Sequence, residues 1–188
     1  AEAQRGFEHF NRLGCSGCHL VHEDYALFQD DQFHNTGLGR ERSMEEKTGT
    51  RVIQLTDTIS IATDEEFEGE VFNDLGRYEV TGKVEDRWRF RTPTLRNIAL
   101  TAPYMHDGRF KTLEEVLDHY NQGIKLSSTL SPLIIEADNL GQIEQYEPSL
   151  NLSGREKKAI IAFLHTLTDE QFITDAKFSN PFKQELKN

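Results

Sequence analysis

The stretch Cys15-Ser16-Gly17-Cys18-His19 decides how the rest of the chain is read. Two thiols three residues apart, followed at once by an imidazole, have the spacing of covalent haem attachment. The sulfurs form thioethers with the haem vinyl groups, and the adjacent His ligates the iron from one face. Cys15 and Cys18 are therefore assigned to one covalent haem c, with His19 as its first axial ligand. Each competing chemistry lacks a part. Structural zinc needs four Cys or His ligands, and His9, His22, His34, His106, His119 and His165 offer no second pair at regular spacing. A redox-active dithiol follows a strand, and the residues before Cys15 do not read as one. A disulfide here would close too short a loop to stabilise much.

Working outward, 188 residues suit one domain with elaborated loops. A hydrophobic content of 36% is low, 12 Phe offset it in part, and a large cofactor would complete the core. The net charge of −11 argues against nucleic acid and an anionic membrane surface, and favours a basic or dipolar protein partner. No apolar run is long enough to span a membrane. The opening Ala1-Glu2-Ala3-Gln4-Arg5 shows no signal peptide and reads as a mature or trimmed terminus. Because covalent haem attachment of this kind is a periplasmic event in bacteria, an exported, periplasmic protein is expected.

The spacing of Phe7, Phe10 and Leu13 predicts a helix over residues 2 to 14, closed by Gly14. From His22 to about Arg91 periodicity is lost, and acidic residues such as Glu41, Glu45, Glu65 and Glu68 predict solvated loop. Pro93 predicts a short helix to Ala99, followed by an extended loop through Met105. Thr112 with Glu115 reads as a capping box opening a helix to about Asn121, closed by Gly123. Residues 124 to 152 read as irregular. A second capping box, Ser153 with Glu156, opens an amphipathic final helix carrying Ile160, Phe163, Leu164 and Leu167. The haem domain is thus expected over 1–168, with 169–188 as a polar surface tail.

The second axial ligand determines whether the iron is closed for electron transfer or open to small molecules. Only two Met exist: Met44 lies in a charged stretch, whereas Met105 follows Pro103 and Tyr104 in a constrained apolar turn and is the better soft ligand. His106 is its rival and would give a lower potential.

The run from Thr92 to Gly123, TPTLRNIALTAPYMHDGRFKTLEEVLDHYNQG, together with CSGCH, FHNTGLG (33 to 39) and LGRYEVTG (75 to 82), resembles the C-terminal haem domain of the bacterial di-haem cytochrome c peroxidase/MauG family. The resemblance spans about residues 4 to 168. It implies an all-α, cytochrome c-like helical domain with long irregular loops, in which the N- and C-terminal helices cross beside the haem. Carried over by position, Cys15 and Cys18 bind haem, His19 is the proximal ligand, Met105 the distal one, and Arg96 lies near the propionates. The family also implies a calcium ion at the domain interface, with ligands that are not placed here. With one CxxCH the peroxide-reducing haem is missing, so this chain alone reads as an electron carrier rather than the peroxide-reducing site. The expected function is electron entry for hydrogen peroxide reduction, from a small cytochrome or cupredoxin donor to a second haem domain or subunit. The alternative is a stand-alone monohaem enzyme or sensor in which Met105 leaves the iron to admit peroxide or another small ligand.

Overall fold

Helix α1, Glu2–Arg12, directs Phe10 inward and presents Gly6 to the longest helix of the fold, α5 (Gly154–His165). A Cβ on Gly6 would stand 1.9 Å from the Ala159 carbonyl oxygen, so the two helices cross at a point where only glycine permits this approach. Around the crossing, Phe7 and Phe10 meet Phe163 with ring centroids 5.1 and 5.3 Å apart. Leu13, Ile160, Leu164 and Leu167 complete the buried layer. Arg12 reaches Glu156 at 2.5 Å on the rim. The expected helix over 2 to 14 is therefore present but two residues shorter, ending at Arg12, and Gly14 at φ 79° turns the chain left-handed into the CxxCH stretch.

The computed structural model describes residues 1–38, 74–137 and 149–179 in full, and 50–54 and 60–64 as backbone strands. Met44, most of the acidic block and 180–188 lie outside the described residues.

The strands correct the expectation of uninterrupted loop. β1 (Phe33–His34) pairs antiparallel with β4 (Phe90–Arg91), with His34 opposite Phe90, and β2 (Thr50–Gln54) pairs with β3 (Ser60–Asp64). Asn35, only 2% exposed, pins the first pair to a distant loop. Its amide donates to Ser127 Oγ and Thr129 Oγ1 at 3.0 and 2.9 Å, and its carbonyl oxygen accepts from the Gly37 N–H at 2.8 Å. A short helix α2 (Tyr78–Thr81) follows.

The helix expected from Pro93 to Ala99 is absent: a turn leads into one 3-10 turn, Ile98–Leu100. Thr94 Oγ1 accepts from the Arg96 N–H at 3.2 Å, and Asn97 sits left-handed at φ 60° with its N–H donated to the Leu167 carbonyl. Side-chain and tertiary acceptors thus outcompete the helical ladder. The capping box of Thr112 and Glu115 does open a helix, α3 (Leu113–Asp118), which widens into a π-helical turn at His119–Gly123. Within the stretch expected to be irregular, Pro132 starts α4 (Pro132–Glu136). After α5 the tail adds α6 (Glu170–Thr174), capped by Asp169, with Phe172 half-exposed.

The fold is all-α in character, cytochrome c-like, with small two-stranded additions.

Candidate haem-binding site

The CxxCH stretch leaves α1 as a single 3-10 turn, Cys15–Gly17, with the His19 N–H returning to the Cys15 carbonyl at 3.0 Å. Both cysteines are free thiols. Burial, the larger effect, together with the neighbouring Cys18 pushes the Cys15 thiol up to about 12; burial, then Asp30, pushes Cys18 up to about 11. Below these values both sulfurs stay protonated.

The His19 Nδ1 lies 2.8 Å from the Phe28 carbonyl. A carbonyl only accepts, so Nδ1 carries the proton and the lone pair resides on Nε2. Burial holds the imidazole below its usual range, against the raising influence of the Phe28 and Pro93 carbonyls and Asp30, so the ring is neutral and ready to ligate. Phe10 and Phe28 wall the ring in, with Phe10 6.3 Å from His19 and in edge contact with Phe28 at 6.2 Å. Helices α1 and α5 thereby seat the imidazole through the same aromatic cluster that joins them.

Met105, half-buried, occupies a turn closed by the Tyr104 N–H donating to the Phe110 carbonyl at 2.7 Å and the Gly108 N–H to Met105 at 3.3 Å. Its φ of 70° is left-handed, which an unbranched non-glycine residue keeps only where the surroundings over-determine it. Tyr104, 8% exposed, anchors that turn through its hydroxyl, which donates to the Ile98 carbonyl at 3.0 Å. His106 lies flat on Phe90, with centroids 3.7 Å apart and planes 10° apart. The segment from Phe90 to Pro93 therefore touches the Met105 turn at one end and the His19 ring at the other. Arg96 is exposed.

Sequence reasoning missed Phe28, Asp30 and His34. Asp30 Oδ2 accepts from His34 Nε2 at 2.7 Å, and His34 Nδ1 accepts from the Ser131 hydroxyl at 3.1 Å. Ligand atoms of Cys18, Asp30 and His34 lie within 4.8 Å of one another, three donors where structural zinc wants four. The sequence signal was FHNTGLG, whose partly buried His34 and buried Asn35 turn out to be polar anchors rather than loop. A cleft of about 560 Å³ lined by Arg109, Phe110, His119 and Gly123 contains none of Cys15, Cys18, His19 or Met105.

Haem c fits these residues. Two protonated thiols sit on one turn beside an imidazole whose outer nitrogen is already committed, leaving the inner one for iron.

No family model matches the chain. Among proteins of known identity it is 33% identical over 171 residues to cytochrome-c peroxidase IdrP2 of Denitromonas iodatirespirans, covering 90% of this chain and 40% of that protein. It is 32% identical over 173 residues to the methylamine utilization protein MauG of Methylorubrum extorquens, covering 90% of this chain and 35% of that one. The chain spans well under half the length of these curated relatives. Among solved structures, a MauG-like protein associated with microbial copper homeostasis superposes with a TM-score of 0.64 at 29% identity over 97% of this chain and 51% of the other. The diheme peroxidase BthA of Burkholderia thailandensis shares the fold, with a TM-score of 0.58 at 20% identity over 92% of this chain.

Proposed function

The chain is homologous to the di-haem cytochrome c peroxidase/MauG family, and from that kinship we propose that it is a haem c electron-transfer domain, the electron-entry half of such an enzyme. The observation that carries the reading is His19, fixed by the Phe28 carbonyl with its Nε2 free beside two thiols on one turn. Haem c held there supplies a one-electron iron couple. Cys15 and Cys18 would tether it, and His19, its Nδ1–H donated to the Phe28 carbonyl, would be the more basic and better oriented ligand for that bond. Met105, held by its turn, would be the second ligand, a soft thioether that favours the ferrous state. Phe10, Phe28 and Phe163 keep water from the imidazole and limit rearrangement when charge changes.

In this reading the protein is periplasmic and takes electrons from a small basic or dipolar cytochrome or cupredoxin. It passes them to a second haem domain that reduces hydrogen peroxide. No helix among the described residues is long and apolar enough to cross a membrane. The test is the visible spectrum of the ferric protein. The weak far-red sulfur-to-iron band is expected in the wild type and absent in Met105→Ala. A wild-type spectrum that is high-spin and lacks the band overturns Met105 as ligand.

A second reading has one observation in its favour. His106, next to Met105 in the chain and stacked on Phe90, is the proton-transferring group that the departure of Met105 from iron would bring into use. Carbon monoxide binding to the ferrous wild type would mark such an opening; an unchanged spectrum marks a closed carrier.

A further inference from the structure

Two consecutive residues, Arg87 and Trp88, each hold a buried N–H without a hydrogen-bond partner: the guanidinium Nε and the indole Nε1. Buried donors are nearly always paired, so two adjacent orphans call for an acceptor. The backbone here is fixed. Trp88 sits at φ 59°, a left-handed conformation costly for a bulky residue, held by its N–H donating to the Leu75 carbonyl at 2.9 Å. The Arg87 carbonyl accepts from Thr129 Oγ1 at 3.0 Å, and its guanidinium lies over the Tyr78 ring at 4.9 Å. A strained backbone delivering unsatisfied donors is a feature of ligand sites rather than of packing.

Their place in the chain indicates which ligand. Two residues beyond Trp88, Phe90 stacks on His106, next to Met105; three further on, the Pro93 carbonyl reaches the His19 ring. The segment from Phe90 to Pro93 thus touches both the Met105 turn and the His19 ring, and Trp88 enters it two residues earlier. A haem held by those two ligands would lie against that segment, and its polar edge carries two carboxylates. Arg96 is exposed, whereas Arg87 Nε and Trp88 Nε1 are already out of water.

We propose that Trp88 Nε1–H and Arg87 Nε–H donate hydrogen bonds to the haem propionates. The inference rests on the haem reading above. Both are positioning residues. By spreading the propionate charge they weaken its attraction for ferric iron and so raise the reduction potential.

Trp88 is the only tryptophan, so the indole is its own reporter. Uptake of one haem is first established by mass and by the Soret band; a protein that takes up none overturns the electron-transfer reading and this inference together. In the haem-loaded wild type, indole emission should be almost wholly lost relative to the haem-free Cys15→Ala/Cys18→Ala protein. The midpoint potential of haem-loaded Trp88→Phe, which keeps a ring but no N–H, should fall below wild type. Its propionate-bending resonance Raman band should shift to lower frequency. Arg87→Gln carries the same two measurements if Trp88→Phe does not fold. Bright indole emission in the haem-loaded wild type, or a potential and Raman band unmoved in a folded variant, overturns the proposal while leaving the haem reading intact.

Discussion

Burial sets the reactivity of the two thiols. With Cys15 pushed up to about 12 and Cys18 to about 11, both chiefly by desolvation, the thiolate fraction of Cys18 at pH 8 is roughly a thousandth, and that of Cys15 smaller still. Iodoacetamide should therefore label the haem-free native protein slowly, Cys18 before Cys15, and both should react at ordinary rates in urea. Equal, fast labelling of the native protein at pH 8 would contradict the buried turn. Asn35 makes a second prediction at this scale. Asn35→Ala leaves the Ser127 and Thr129 hydroxyls and the Gly37 N–H without their partner, and should lower stability by about 2 kcal/mol in urea denaturation.

At the scale of elements, the α1–α5 crossing and the caps differ in weight. Gly6→Ala drives a methyl into the Ala159 backbone and should cost about 3 kcal/mol, with a lowered urea midpoint. Ser153→Ala removes the acceptor for the Glu156 N–H at 3.3 Å and the hydroxyl that donates to the Glu156 carboxylate at 2.7 Å, and should cost about 1 kcal/mol. Both capping boxes were legible because their signal is local: four residues carry both donors and both acceptors. The amphipathic stripe of α5 was legible for the same reason. β1 and β4 were not, since a two-residue ladder has no alternation to detect and is set by the Asn35 network reaching Ser127 and Thr129. The false helix at Pro93 has the converse cause: its local start signal was sound, but Thr94 and Asn97 bond elsewhere. Of the candidate site, the two thiol positions and the imidazole lay in one pentapeptide. The Phe28 carbonyl and the Asp30–His34 pair are products of the fold, beyond any local pattern.

At the scale of the molecule, acid should act in two stages. Burial holds His119 below its usual range, against the raising influence of the Thr36 carbonyl, so it is neutral in the fold. The unfolded chain takes up that proton below about pH 6.5, and the contribution of His119 is lost as pH falls from there. Burial raises Asp30, but the Gln32 N–H, His34 and Thr92 outweigh it and hold the carboxyl below its usual range. Its contribution is present above about pH 4 and lost as pH falls through its folded value. Urea midpoints of the haem-free protein should decline between pH 7 and 5, and again below pH 4. The net charge of −11 predicts that electron transfer from a basic donor slows as salt is added; a rate indifferent to ionic strength would argue against such a partner. The Gly6–Ala159 contact joins residues roughly 150 positions apart, so its formation must close a loop of nearly the whole domain. The Cys15–Gly17 turn, which follows directly on α1, is thus sealed only when the two ends of that loop meet. Until they meet, Cys15 and Cys18 belong to an open chain, and whatever modifies their sulfurs has access to them before folding withdraws it.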